Sequence, residues 1–236
     1  MNVFVLTCKG RKDLTEQCLR SIGKTLGVLK EPVGMAIVDA AEGLDALRVD
    51  EIGAWLNRAD VIVQYEQWVN CTLTQGWNRA IELTANLVQV PEDTNVLLLQ
   101  NDSIFLREGW LQALEEKMKE PGVGSIGTSA MSVFGHPFVT GAVQGFNLAA
   151  ALSIAENGKV IDEHFNHAFP DVDISIRFVR AGYWNTLVDD MEHGQHPSVQ
   201  HFVSQTMYSE HGVDKVMAMR AEEEKYFLQK WGNLEA

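Results

Sequence analysis

Asp102 stands where a buried strand is predicted to end. It follows a run of four apolar residues and the pair Gln100-Asn101. A carboxylate in such a loop can ligate a hard divalent cation, because these cations take oxygen ligands and leave positions open for phosphate oxygens. The segment Asn101-Asp102-Ser103 also has the composition of an ordinary turn. Taken alone, it leaves a metal site and a turn equally open.

A second acidic pair, Asp171 and Asp173, stands at the predicted start of a helix, directly after Pro170. Helix N-termini favour negative charge, so this position would keep an aspartate ionised, as a general base requires. Aspartate is also among the preferred capping residues, and Pro170 supports a helix start under either interpretation. In isolation, the pair favours a helix cap over a catalytic base.

Four of the seven histidines are concentrated in one segment. They are His193, His196, His201 and His211. A neutral imidazole can join carboxylates around a Mn²⁺-type ion. The spacing matches no zinc signature, so most of these histidines are expected to be surface loop residues.

The elements that would position these residues alternate between strands and helices. Short apolar segments predict strands, and apolar residues at helical spacing predict helices. In the first half, strands are predicted at 2–7, 33–38, 60–64 and 95–99, and helices at 11–26, 72–87 and 109–119. Apolar strands without alternation indicate a mostly parallel sheet covered on both faces. Ligands of such sheets bind beyond the carboxyl ends of the strands, where Asp39 and Asp102 both lie.

The second half is less regular. Two segments, 123–130 and 138–151, are rich in Gly, Ala and Ser, which indicates strands and close-packed loops around a site. Beyond them the sequence predicts a helix at 171–181, a strand at 183–188, a histidine-bearing loop at 193–204 and a C-terminal helix at 215–231. We see no internal repeat or linker, and expect one domain over residues 1–236.

The composition argues against some partners. The net charge of −13, from 19 basic and 32 acidic residues, repels a polyanion at long range, so strong general nucleic-acid binding is not expected. No apolar run approaches the roughly 20 residues of a membrane helix, and the first residues lack the features of a signal peptide. The three cysteines, Cys8, Cys18 and Cys71, lack metal-ligand spacing. Reduced thiols and a cytoplasmic location are therefore expected.

Several segments indicate more about function by their order along the chain than each does alone. They are the strand 2–7 with its following helix, Ala36-Ile37-Val38-Asp39, Gly76-Trp77-Asn78-Arg79-Ala80-Ile81, Leu97-Leu98-Leu99-Gln100-Asn101-Asp102-Ser103, residues 171–183 and Tyr226-Phe227-Leu228-Gln229-Lys230-Trp231-Gly232. In this order they resemble the inverting, family 2-like GT-A glycosyltransferases, which belong to the nucleotide-diphospho-sugar transferases, over almost the whole chain. Residues 171–183 (DVDISIRFVRAGY) are the most similar, to the family pattern "E-D-x-D-hydrophobic-x-x-Arg-x-x-x-x-Gly-Tyr".

The resemblance implies an α/β GT-A fold, a Rossmann-like and mostly parallel mixed sheet flanked by helices. It implies a nucleotide-binding half at 1–120, an acceptor and catalytic half at 121–211 and a C-terminal helix at 212–236. The residues assigned to the nucleotide are Thr7, Cys8, Asp39, Asn78 and Asn101. Asp102 and His201 are assigned to a Mn²⁺ or Mg²⁺ ion, and Asp171 is the general base. On the acceptor side we place Gly145, Phe146 and Asp173.

Two departures from the family pattern bear on the site. The first position of the DXD-like metal motif is Gln100 rather than an acid, so the metal would depend on Asp102 and the diphosphate. The glutamate usual before the base is Pro170 here, while Asp171 keeps the base position. His201 fits the family's late "Val-x-His-x-x-Ser" segment best, with His193 and His196 as rivals for the metal.

The implied function is a metal-dependent inverting hexosyltransferase, which moves a sugar from a nucleoside diphosphate to an acceptor hydroxyl. Asp39 favours a uridine donor. The acceptor is a glycan, a lipid-linked sugar, a protein or a modified nucleobase. A viral origin, with the enzyme in the host cytoplasm, is compatible with this function.

Three alternatives stay open. The first is a nucleotidyltransferase, which usually needs a Gly-rich phosphate loop and a basic residue near the first strand. The segment Cys8-Lys9-Gly10-Arg11-Lys12 resembles such a loop only weakly. The second is a nucleotide- or carbohydrate-binding module that has lost catalysis. The third is an α/β domain without an assignable role.

Overall fold

Seven strands form one mixed sheet, and two further strands pair beside it. The computed structural model describes residues 1–88, 90–188, 199–201, 208 and 212–232. The strands are β1 (Asn2–Cys8), β2 (Val33–Asp39), β3 (Val61–Gln67), β4 (Asn95–Gln100), β5 (Ser103–Phe105), β6 (Val123–Val133), β7 (His136–Asn147), β8 (Trp184–Leu187) and β9 (Val199–His201). The large sheet has the order β3-β2-β1-β4-β7-β6-β8, and β5 pairs with β9.

Within the large sheet, β3, β2, β1 and β4 are mutually parallel. Strand β7 runs antiparallel to both of its neighbours, β4 and β6, and β8 runs parallel to β6. All seven residues of β1 and all seven of β2 are buried. These strands are covered on both faces, which explains why their sequences are continuously apolar rather than alternating.

Two layers of helices cover the sheet. The helices are α1 (Lys12–Thr25), α2 (Val49–Leu56), α3 (Leu73–Thr84), α4 (Trp110–Met118), α5 (Leu148–Ser153), α6 (Pro170–Arg180) and α7 (Val213–Trp231). Core residues of α1, α2 and α4 form one cluster with the sheet, and those of α3, α5 and α6 form another. A third cluster joins α7 to the start of α6 through Phe227, Phe169 and Val172.

The structure confirms the predicted α/β class and the parallel order of the first four strands. Four of these elements were not predicted: α2, α5, β5 and β9. Helix α2 has only eight residues, too few for a clear periodic signal, and at its start the Arg48 N–H donates to Glu51 Oε2 at 3.2 Å. Residues Val199–His201 form a strand, although the segment was predicted as a loop.

The predicted halves 1–120 and 121–211 contribute strands to the same large sheet. Within the part of the chain that the structure describes, no helix combines the length and the apolar character needed to cross a bilayer.

Candidate active site

The parallel strands bring their last residues together at one border of the sheet, called here the carboxyl edge. Cys8 is in register with Asp39, and Asp39 with Gln67, while Thr7 is in register with Gln100. The residues that the sequence assigned to strand ends are therefore neighbours in space. This edge is also where an open α/β sheet binds its ligands.

Asp39 uses its carboxylate to hold the loop that follows it. Its Oδ1 accepts the N–H of Ala41 at 3.0 Å, and its Oδ2 accepts the N–H of Leu47 at 2.6 Å and the hydroxyl of Tyr65 at 3.2 Å. The residue is fully buried, and burial raises its pKa although these hydrogen bonds oppose the shift. The carboxylate therefore faces the protein's own donors, which argues against the expected contact with a nucleotide base.

Trp68 lies beside Asp39 and is a candidate for ligand contact that was not predicted from the sequence. The N–H of Trp68 donates to the Asp39 carbonyl oxygen at 2.8 Å, immediately after β3 ends. Its side chain is 41% exposed. A large aromatic residue four positions beyond the predicted strand 60–64 was the signal available in the sequence. An exposed indole at a ligand-binding edge can stack on a planar ring.

Thr7 and Cys8 end β1 in a tightly packed environment. Among the described residues, the buried Thr7 hydroxyl has no hydrogen-bond partner. Helix α3 approaches it so closely that a Cβ on Gly76 would lie 2.4 Å from Thr7 Cγ2. Burial, and next the charge of Asp39, raise the pKa of the Cys8 thiol well above its ordinary value. Both residues lie at the end of β1, and the Cys8 thiol is neutral.

The two predicted asparagines connect parts of the fold. The Asn101 amide donates to Thr15 Oγ1 on α1 at 3.1 Å. The Asn78 amide donates to the Ile161 carbonyl oxygen at 2.8 Å and to Glu163 Oε1 at 2.9 Å, and its Oδ1 accepts the Ile161 N–H at 2.9 Å. Asn78 thus anchors the segment after α5 to α3. Its side-chain amide already has hydrogen-bond partners within the protein, so it does not need a nucleotide to satisfy it.

Asp102 follows β4 at the carboxyl edge and is only 4% exposed. Its charge contributes to the raised pKa of Arg11, which the hydrogen bond to Asp13 dominates. It also adds to the effect of burial that raises the pKa of Cys18 to about 12. Asp102 therefore lies near the start of α1, where the Arg11 guanidinium provides positive charge.

The β5–β9 pair brings a histidine next to Asp102 in the fold. His201 is in register with Ser103, the residue that follows Asp102. A carboxylate and an imidazole are both suitable ligands for a Mn²⁺-type ion, so the residue types present fit the expected metal. The rival ligands His193 and His196, and also His211, lie outside the described residues. Over the described ranges, no three His, Cys, Asp or Glu side chains form a metal-binding group by themselves.

Helix α6 points its N-terminus towards the carboxyl edge. Near its start, the Asp171 carbonyl oxygen and Ser175 Oγ lie 3.5 and 3.4 Å from Gln144 Nε2, and Gln144 is in register with Leu98 of β4. Near its end, the ring of Phe178 lies 6.1 Å from that of Phe146, which is in register with Val96 at the beginning of β4. The half-buried Asp171, in the first turn of α6, is therefore at the end of the helix that approaches Asp102.

Asp173 is fully buried and has three partners. Its carboxylate forms ion pairs with Arg177 at 3.0 Å and with Lys230 at 2.8 Å, and its Oδ1 accepts the Trp231 indole N–H at 2.9 Å. A carboxylate enclosed in this way has no surface to offer an acceptor. This arrangement argues for a structural role and against the expected acceptor contact.

Gly145 and Phe146 lie away from the carboxyl edge. They are in register with Leu97 and Val96, in the first half of β4. Phe146 is in the core, and a Cβ on Gly145 would lie 2.9 Å from Ile126 Cγ2. The expected acceptor wall is therefore not at these residues, because β7 runs antiparallel to β4 and ends at the opposite border.

No protein-family model matches the sequence, and no curated protein matches it. Solved structures do share its fold. The mannosyltransferase PcManGT from Pyrobaculum calidifontis, in complex with GDP-Man and Mn²⁺, aligns with a TM-score of 0.60 and 13% identity, over 80% of this chain and 55% of that one. TarS 1–349 from S. aureus aligns with a TM-score of 0.55 and 14% identity in complex with UDP, over 80% and 58% of the two chains. The TarS complex with UDP-GlcNAc gives a TM-score of 0.53, at 14% identity, over 80% and 56%.

The chain spans a little more than half the length of these structures. Identities of this size establish architecture. The mixed seven-stranded sheet, its flanking helices and the three alignments together show that this protein has the GT-A glycosyltransferase fold.

Proposed function

We propose that this protein is a metal-dependent, inverting glycosyltransferase that uses a nucleoside diphosphate sugar as donor. One observation carries the proposal: the loop of Asp102 and the first turn of α6, with Asp171, approach the same edge of the sheet. A donor between them would have a cation ligand on one side and a base on the other. The structural neighbours bind GDP-Man with Mn²⁺, UDP and UDP-GlcNAc, which supports this class of ligand.

The proposed reaction is a single displacement at the anomeric carbon of the donor sugar. Asp171 accepts the proton of an acceptor hydroxyl while that oxygen forms a bond to the anomeric carbon. The bond from this carbon to the diphosphate oxygen breaks, and its electron pair leaves with the nucleoside diphosphate. Asp171 sits in the first turn of α6, where the helix favours the ionised carboxylate that this step needs.

Asp102 and His201 are the residues that we propose hold a Mn²⁺ or Mg²⁺ ion, together with oxygens of the donor diphosphate. When bound, the cation supplies Lewis-acid stabilisation for the charge on the departing diphosphate. Arg11 is close enough to Asp102 for the two charges to interact, and its guanidinium is paired with the Asp13 carboxylate at 2.9 Å.

For the nucleoside, we propose a site at the ends of β1 and β2, next to Trp68. The indole replaces the buried Asp39 as the side chain that contacts the base. We favour a uridine nucleotide, which TarS binds in both of its structures compared above, whereas PcManGT binds GDP-Man. The acceptor is the hydroxyl of a glycan, a lipid-linked sugar or a modified nucleobase. A cytoplasmic location is part of this proposal, since Cys8, Cys18 and Cys71 are all free and buried.

The proposal is tested by incubating the purified protein with Mn²⁺ and a panel of UDP- and GDP-sugars. Thermal shift identifies the nucleotide, and mass spectrometry follows transfer to glycan, lipid-linked and nucleobase acceptors. Release of nucleoside diphosphate with transfer of the sugar, in the inverted anomeric configuration by NMR, is the expected result. Pyrophosphate release would instead indicate a nucleotidyltransferase, and binding without turnover would indicate a binding module.

A further inference from the structure

Helix α7 lies along the segment that leads into Asp171. Its contact residues Glu223, Phe227, Lys230 and Trp231 are separated by four, three and one residues, which puts them on one face of the helix. This face contacts the chain on both sides of Asp171. Helix α7 therefore fixes the start of α6 from outside the sheet.

The carboxylate of Glu223 accepts hydrogen bonds from three consecutive backbone N–H groups. Its Oε1 accepts from Asn166 at 2.9 Å and from His167 at 3.2 Å, and its Oε2 accepts from His167 at 3.3 Å and from Ala168 at 2.6 Å. Glu223 is only 5% exposed. Hydrogen bonds to an ionised acceptor are about twice as strong as neutral ones, so this carboxylate holds the loop 166–168 firmly.

Only two residues connect this loop to Asp171, and both are constrained. Phe169 has a left-handed backbone, with a φ of 70°, and its ring stacks on Phe227 of α7 at a centroid distance of 5.1 Å. Pro170 has its φ fixed by its ring. A displacement of the loop would therefore be passed on to Asp171 through very few free torsions.

On the helical side of Asp171, α7 makes a second attachment. Lys230 Nζ lies 2.8 Å from Asp173 Oδ1, and the Trp231 indole donates to the same oxygen at 2.9 Å. Asp171 is thus held between two contacts with α7, one through Glu223 and one through Asp173.

We propose that Glu223 is a positioning residue that sets the placement of Asp171 for proton transfer. This inference rests on the proposed role of Asp171 as the base. Glu223 does not contact the reacting atoms; it acts through the loop 166–168. Misplacing a reacting group by about 1 Å can lower a rate by about 100-fold, so loss of these hydrogen bonds should affect turnover more than donor binding.

The first test compares Glu223→Gln with Glu222→Gln, the same substitution at the neighbouring position. The glutamine at 223 keeps one acceptor oxygen and turns an NH₂ group towards backbone donors. Glu222 is the matched control, because its side chain is 74% exposed and pairs with Lys225. We expect kcat to fall by about 10- to 100-fold in E223Q with donor KM unchanged, and both constants to be unchanged in E222Q. Equal kcat values in the two variants would overturn the inference.

A double-mutant cycle separates positioning from general damage to the fold. If Glu223 acts through Asp171, E223Q should have little further effect on kcat in an Asp171→Asn background. The same fold-reduction in both backgrounds would show a merely structural role. If E223Q does not fold, Glu223→Asp, which keeps the charge but is one methylene shorter, is compared in the same cycle.

Amide hydrogen exchange tests the inference without relying on activity. Amide exchange at residues 166–169 and 171 should be at least about tenfold faster in E223Q than in E222Q. Unchanged exchange would overturn the positioning role. If the parent protein transferred no sugar from any donor, the proposed function would be wrong, and the exchange result would still decide whether Glu223 holds this segment.

Discussion

Ser103 and His201 are opposite each other in a two-stranded antiparallel ladder, although 98 residues separate them in the chain. Opposite residues in such a ladder have Cα atoms about 5 Å apart. Because Ser103 follows Asp102, the ladder joins the histidine-bearing segment to the loop after β4. A metal site with one ligand from each segment is possible only because these short strands pair.

This pairing makes a prediction about the metal. Asp102→Asn and His201→Ala should each weaken binding of a nucleoside diphosphate sugar in the presence of Mn²⁺, by about tenfold or more, because each removes a ligand. Their affinities without Mn²⁺ should remain close to that of the parent. Titration calorimetry with and without Mn²⁺ measures both. Equal donor affinity with and without the ion in the parent protein would refute the metal assignment.

Asp171→Asn tests the base. General-base assistance contributes about 10²- to 10⁴-fold, so kcat should fall by that factor while donor affinity is retained. Asparagine has similar size and can still accept a hydrogen bond from the Val172 N–H, as Asp171 Oδ1 does at 3.0 Å. Steady-state kinetics and calorimetry give the two quantities. Near-parental kcat in a folded variant would assign the base elsewhere.

Asp39 and Trp68 should respond to substitution in opposite ways. Asp39→Ala removes the acceptor of three donors in a buried site, so the free energy of unfolding should fall by about 3 kcal/mol. Trp68→Ala removes an exposed ring, so it should leave stability nearly unchanged but weaken nucleotide binding by roughly tenfold. Urea unfolding and calorimetry on both variants provide the comparison. Loss of nucleotide affinity in a stable Asp39 variant, with none in the Trp68 variant, would restore the base contact to Asp39.

The ion pair between Lys230 of α7 and Asp162 predicts that the stability of the protein depends on pH. Burial disfavours the charged form of Asp162, but the Lys230 ammonium at 2.8 Å and the donors of His164 and Tyr226 outweigh it and hold the pKa of Asp162 below its usual value. A carboxyl with a lowered pKa in the folded state stabilises the protein fully above the unfolded pKa of about 4. That contribution is lost as the pH falls through the lower folded value.

Asp162→Asn should therefore lower the free energy of unfolding by about 1–3 kcal/mol at pH 7, with a smaller difference at pH 3 and below. Denaturant unfolding at both pH values measures this. Asp50→Asn, at an exposed ion pair with Arg48, is the control and should have little effect at either pH. An undiminished Asp162 effect in acid would contradict the ion-pair explanation.

The predicted arrangement at the carboxyl edge follows from local patterns. The apolar strands before Asp39 and Asp102 have a period and composition that indicate buried parallel strands, and such strands place their last residues at one border. The helix start at Pro170 is likewise a local signal. These features depend on neighbours in the chain, so the sequence contains them directly.

The partners of the polar side chains depended on contacts between distant segments. The Asn78 side chain forms hydrogen bonds with Ile161, which is 83 residues away in the chain. The Glu223 carboxylate forms hydrogen bonds with the loop 166–168, which is 55 to 57 residues away. Phe146 was expected at the acceptor side, but the antiparallel direction of β7 puts it at the far border.

The sequence by itself therefore determined which residue types stand at the ends of the strands and helices, because these follow from local periodicity and capping. Only the tertiary structure decided which of those side chains are occupied within the fold, because a buried donor or acceptor must find its partner wherever the packed chain provides one.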